Sequence, residues 1–73
     1  MEALQIRTAE EFGAAVREAR KREHLTQREL ALSVGTGERF IVDLENGKET
    51  VHLGKALHVA VSLGLKVELT GRN

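Results

Sequence analysis

The sequence predicts a mainly all-α domain of four to five helices, closed by a short C-terminal β-strand. Three observations predict it. Apolar residues recur at helical spacing in four successive blocks, and capping residues or glycines bound those blocks. The closing stretch Leu65-Lys66-Val67-Glu68-Leu69 instead alternates strictly, which is the pattern of a strand. The chain of 73 residues has room for one domain, taken as 1–73, and a core that small is commonly reinforced by self-association.

Thr8-Ala9-Glu10-Glu11 has the pattern of a capping box, with Thr8 as N-cap and Glu11 three residues on. Phe12, Ala15, Val16 and Ala19 follow at helical spacing, so a first helix is expected to run to about Glu23. Its last turns carry Arg17, Arg20, Lys21 and Arg22, cations that suit the negative end of the helix dipole. A second capping box, Thr26-Gln27-Arg28-Glu29, opens a second helix with Leu30, Ala31 and Val34 on one face. Gly35 stops it, because glycine adopts the left-handed backbone of a sharp turn without penalty. A third helix begins at Thr36 or Gly37 and runs to about Glu45, with Phe40, Ile41 and Leu44 at helical spacing and Asn46-Gly47 ending it. The fourth is expected over roughly Leu53 to Leu63, closed by Gly64. Leu53, Ala56, Leu57, Ala60 and Leu63 form one stripe, while Val59 and Val61 extend the apolar surface around the cylinder. A helix apolar on two faces needs two neighbours, and a second copy of the chain can be one of them.

The alternating tail cannot stand alone, since its backbone groups would stay unpaired. Leu4-Gln5-Ile6-Arg7 alternates more weakly and is one possible partner; the same tail in another subunit and a different protein are the others. Leu65, Val67 and Leu69 are expected to form an inter-subunit strand pair, supported by Val59 and Val61 of the fourth helix.

Composition narrows the function. No cysteine is present, which excludes disulfides, thiolate zinc sites and a cysteine nucleophile. Trp and Tyr are absent too, and a stacking platform for single strands needs several aromatic rings. His24, His52 and His58 lack metal-ligand spacing, and there is no phosphate-binding glycine loop. No catalytic residue, metal or cofactor is expected. Neither a signal peptide nor an apolar run of the roughly 20 residues needed to span a bilayer is visible, so no membrane partner and a cytoplasmic location are expected. The net charge of +0 runs against DNA binding, although the distribution of Lys and Arg matters more than their sum.

The second and third helices carry the functional signal. Ala31 lets the pair approach closely, Gly35 makes the turn, and Ile41 and Leu44 pack the third helix back onto the second. Two helices joined by a short glycine turn form a helix-turn-helix, which projects its second helix into a major groove.

Leu25-Thr26-Gln27-Arg28-Glu29-Leu30-Ala31, Val34-Gly35, Phe40-Ile41 and Leu44-Glu45-Asn46-Gly47-Lys48 together resemble the lambda-repressor and Cro-like (XRE) family. The resemblance covers most of the chain. Outside that block, Ile6-Arg7-Thr8-Ala9-Glu10-Glu11-Phe12 and Leu63-Gly64-Leu65-Lys66-Val67-Glu68-Leu69 resemble HipB-type antitoxins. Such proteins are repressors that autoregulate their operon and neutralise a HipA-like serine/threonine kinase toxin. The resemblance implies a homodimer on a palindromic double-stranded operator, associated with the nucleoid when bound, and a HipA-like kinase as protein partner.

It also implies roles for individual residues. Gln27 would contact a phosphate or an adjacent base, and Arg28 would add a phosphate contact. Gly37, Glu38 and Arg39 occupy the exposed start of the third helix, where base edges are read. Arg39 is the main reader, since a guanidinium bonds guanine bidentately for about 1–3 kcal/mol of discrimination. Glu38 would accept from a cytosine amino group or repel phosphate; Phe40 would meet a thymine methyl or pack in the core. Asp43 would orient Arg39, and Lys48 would grip the backbone beyond the helix. Arg20 and Glu45 correspond to a partly buried structural ion pair. Thr36, Gly37 and Val42 depart from the family pattern, where an apolar turn residue, a serine N-cap and a small polar residue are common.

Two other functions compete with this one. An XRE repressor or antitoxin unconnected with a kinase, paired with an RNase toxin or with none, would carry the same motif. A protein-binding module that has lost DNA affinity would fit the neutral charge and Val42.

Overall fold

The computed structural model describes residues 5–72 and contains four helices among them: α1 (Ala9–Arg22), α2 (Gln27–Val34), α3 (Glu38–Glu45) and α4 (Leu53–Ser62). All four fall within a residue or two of the expected bounds. No fifth helix and no strand occur among the described residues.

Side-chain capping starts three of the helices. Thr26 Oγ1 accepts from the Glu29 N–H at 3.0 Å, and Glu29 Oε1 accepts from the Thr26 N–H at 2.8 Å, so the capping box of α2 is complete. That of α1 is only half formed: Thr8 Oγ1 takes the Glu11 N–H at 3.0 Å, but Glu11 reaches past Thr8 to the N–H of Arg7 at 2.5 Å. His52 caps α4, its Nδ1 accepting from the Lys55 N–H at 3.1 Å. α3 has no side-chain cap, because Gly37 stands at the N-cap position.

The helix ends share one device. After each helix a residue turns left-handed and the next N–H bonds back into the last turn, which satisfies carbonyls left without intrahelical partners. Gly35 (φ 75°), Gly47 (φ 80°) and Gly64 (φ 80°) do this for α2, α3 and α4. His24 (φ 59°) does it for α1, with the Leu25 N–H donating to the Arg20 carbonyl at 3.2 Å.

Val16, Leu30, Ala31, Ile41, Leu44, Ala56 and Val59 form the core, with Phe12, Leu25, Val34, Phe40, Val51, Leu63 and Leu65 packed around it. Each fully buried large side chain here contributes about 1.5–3 kcal/mol of transfer free energy. α1 crosses α3 closely at Gly13. A Cβ at Gly13 would overlap the Leu44 carbonyl oxygen and lie 2.8 Å from that of Glu45. Backbone meets backbone there.

The placement of Val59 is corrected, and within the single chain the tail departs from a strand. Helix α4 turns Ala56, Val59 and Ala60 inward, whereas Leu53 is 69% and Val61 62% exposed. Val59, assigned above to a subunit interface, is 1% exposed and lies in the chain's own core. The physical reason is that two small alanines let α4 close on the other helices, and at about 100° per residue this rotates Leu53 and Val61 outward. The tail over 65–72 forms no strand. Leu65 is half-buried against the core and its N–H donates to the Ala60 carbonyl at 3.0 Å, completing the end of α4. Val67 and Leu69 are exposed. A strand requires a paired backbone, and no ladder joins the tail to residues 5–7; Leu4 lies outside the described residues.

Candidate nucleic-acid interface

The functional surface is anchored by a buried ion pair. Arg20 of α1 and Glu45 of α3 are 9% and 8% exposed. Arg20 Nε donates to Glu45 Oε2 at 2.6 Å and Nη2 donates to Oε1 at 3.0 Å, a two-point grip between guanidinium and carboxylate. Arg20 Nη1 donates to the Leu25 carbonyl at 2.7 Å. The hydrogen bond to Glu45 holds the Arg20 guanidinium charged above the ordinary arginine range; burial opposes this and the carboxylate's charge adds to it. The pair ties the end of α1, the loop into α2 and the end of α3 into one unit.

That unit reaches the surface through Gln27. Its Nε2 donates to Glu45 Oε1 at 3.1 Å, so this half-buried side chain at the start of α2 is held by the same carboxylate. Its amide oxygen and second N–H are not used in that bond. Arg28 beside it is exposed.

Helix α3 buries Ile41, Leu44 and Glu45 and turns its other face outward. Gly37, Glu38 and Arg39 are exposed at its start, Val42 and Asp43 are half-buried one turn on, and Lys48 is exposed just beyond its end. Phe40 is half-buried and packs against the core, the second of its two expected placements. Asp43 joins two cations: its Oδ1 lies 3.2 Å from Arg39 Nε and its Oδ2 3.6 Å from Lys48 Nζ. With glycine at its N-cap, α3 keeps its first N–H groups free of side-chain partners, and such groups donate best to an anionic oxygen.

The arrangement can hold phosphates and base edges. Among the described residues no cluster of three or more His, Cys, Asp or Glu could bind a metal, and no helix is long and apolar enough to cross a membrane.

Some relevant residues escaped the sequence reading. Gly13 could have been found, because a glycine inside a helix costs about 1 kcal/mol against alanine and usually has a packing reason. The bond from Gln27 to Glu45 spans 18 positions and leaves no local signal. Leu53, Leu57 and Val61 recur every fourth residue on the outer side of α4, and the first and last are exposed. Their spacing was visible; their direction was not.

A helix-turn-helix family model matches residues 16–69. The uncharacterized HTH-type transcriptional regulator y4mF of Sinorhizobium fredii (strain NBRC 101917 / NGR234) is 48% identical over 67 residues, covering 92% of this chain and 88% of that protein. Among solved structures, the fold is similar to a chain of a HipA-HipB-O2-O3 complex, with a TM-score of 0.84 and 24% identity over 97% of this chain and 100% of that one. It is likewise similar to a chain of a HipB-O1-O2 complex, with a TM-score of 0.85 and 25% identity over 94% of this chain and 100% of that one.

Proposed function

The chain belongs to the helix-turn-helix family, and from that premise we propose that it is a repressor that binds a palindromic operator as a homodimer and serves as a HipB-like antitoxin. In this reading it autoregulates its operon and neutralises a HipA-like serine/threonine kinase toxin.

One observation carries the DNA-binding part: Arg39 and Lys48 stand together on the outward side of an uncapped α3, which the Arg20–Glu45 pair fixes to the rest of the fold. Arg39 reads bases, while Gln27, Arg28 and Lys48 hold phosphates. Gly37 lets the backbone approach, and Glu38 repels misplaced phosphate. Phe40 supports the helix from within.

The dimer contact is assigned to Leu53, Leu57 and Val61 on the outer face of α4, joined by Val67 and Leu69 of the tail. This unpartnered apolar surface supports self-association, and two copies related by a dyad would read half-sites about one DNA turn, or a multiple, apart. The kinase partner rests on the likeness to the HipB chains and on the terminal segments.

Electrophoretic shift with the DNA upstream of the chain's own gene tests the repressor. A sequence-specific complex that weakens with salt is expected, and its absence overturns the reading. Truncation after Gly64, which removes Val67 and Leu69 but keeps the outer face of α4, should weaken dimerisation, and Val61→Asp should abolish it. For the toxin, the product of the adjacent gene should phosphorylate itself or a substrate and stop when this protein is added. An adjacent gene without a kinase would leave a repressor or antitoxin of another kind.

A further inference from the structure

We propose that Asp43 is a specificity-determining residue, a carboxylate that poses base-reading Arg39 together with phosphate-gripping Lys48 and restrains their attraction for DNA of arbitrary sequence. This rests on the reading of α3 as the base-reading helix. Each carboxylate oxygen meets a different cation, Oδ1 at 3.2 Å from Arg39 Nε and Oδ2 at 3.6 Å from Lys48 Nζ. The Asp43 side chain is largely covered, while those of Arg39 and Lys48 are mostly open to solvent. The anchor is therefore sheltered by the fold, and the two cations extend from it into solvent.

Lys48 is tied to Asp43 twice. Besides the ion pair, its N–H donates to the Asp43 carbonyl at 3.0 Å, a return that the left-handed Gly47 makes possible. Asp43 thus holds the first residue beyond the turn by main chain and side chain alike. For Arg39 the contacting atom is Nε, and with the side chain 83% exposed the guanidinium keeps terminal nitrogens open to solvent. Those nitrogens can bond guanine O6 and N7 side by side.

The carboxylate also changes the charge that DNA meets. Arg39, Asp43 and Lys48 carry a net +1 instead of +2, and phosphate must compete with Asp43 for each cation. Any duplex offers phosphates, so this competition weakens binding to all sequences. Only a duplex with the right base edge opposite the posed Arg39 recovers the loss. A single carboxylate therefore widens the gap between operator and bulk DNA, which suits a chain with as many acidic as basic residues.

Asp43→Asn removes the charge at nearly constant shape, and ion pairs whose cations stand mostly in solvent contribute little to folding. The probes are the duplex that the wild-type protein enriches from a randomised pool and a scrambled duplex of the same composition. Expected for the variant are tighter binding to the scrambled duplex, a logarithmic salt slope steeper by about one, and a ratio of enriched to scrambled affinity lower by roughly tenfold. Asp43→Glu, which keeps the charge, should return the salt slope to the wild-type value. A readout without DNA is the nitrogen-15 relaxation of Arg39 Nε, restrained in the wild type and freed in Asp43→Asn. Equal mobility in both, or an unchanged affinity ratio with a wild type that enriches normally, overturns this proposal alone. A wild type that enriches no sequence overturns the operator reading and this proposal with it.

Discussion

Replacing Arg20 by methionine breaks the most deeply buried polar contact of the fold. Glu45 stays behind, 8% exposed, without its two-point partner, and the Leu25 carbonyl loses its donor at 2.7 Å. Removing one partner of a buried pair costs about 3–5 kcal/mol, because the remaining charge is desolvated and uncompensated. For a domain of this size each kcal/mol lowers the melting temperature by about 4–8 °C, so a fall of about 12–40 °C is expected by thermal circular dichroism. Adding Glu45→Met should recover much of that loss, since two apolar side chains leave no buried charge. The cycle should give a coupling of about 2 kcal/mol or more, within the range for residues in one network. Arg20 has a raised pKa, so its share of the stability is fully present below the ordinary arginine range and is lost only as pH rises through the shifted value. Melting in the wild type should accordingly show no loss from this group anywhere near neutral pH. A single variant that loses less than about 1 kcal/mol, the worth of a surface bridge, would refute the reasoning. So would weakened DNA binding at an unchanged melting temperature, which would make Arg20 a DNA contact.

Gly13→Ala should cost about 2 kcal/mol or more in denaturant unfolding, because the methyl group meets immovable backbone of α3; a neutral result would deny the close crossing. Val59→Ala should lower stability by about 2 kcal/mol, whereas Val61→Asp should leave the monomer folded and shift sedimentation from dimer to monomer. The opposite pattern would restore Val59 to the interface. His24→Gly should raise stability by up to about 1 kcal/mol by relieving the left-handed penalty of a residue with a Cβ. Lys48→Ala should weaken binding to all duplexes alike and reduce the salt slope by about one, while Arg39→Ala should cost about 1–3 kcal/mol and relax discrimination at one position.

Much of the fold was legible because its signals are local. Thr26 and Glu29 cap each other across three positions, and Gly35, Gly47 and Gly64 stop helices by their own backbone freedom. The same holds for the exposed start of α3, since the apolar positions Ile41 and Leu44 leave Glu38 and Arg39 no inward direction. His24 shows the limit of that reasoning: it adopts the glycine-like conformation at the end of α1 although nothing in its identity required it.

By itself, then, the sequence determined the four helices within its range of four to five, the caps at Thr8 and Thr26, the glycine stops of α2, α3 and α4, and which side of α3 turns outward. Each of these follows from side chains within one or two turns of one another. Only the tertiary structure decided which part of the broad apolar surface of α4 is buried, because Leu53, Leu57 and Val61 are as apolar as Ala56, Val59 and Ala60 and spacing alone does not rank the two sides. It also decided that Gly13 lies against the backbone of α3, that Gln27 leans on Glu45, and that one aspartate serves both Arg39 and Lys48. Such contacts depend on how close helices come and on the exact reach of each side chain, quantities that spacing along a chain does not encode.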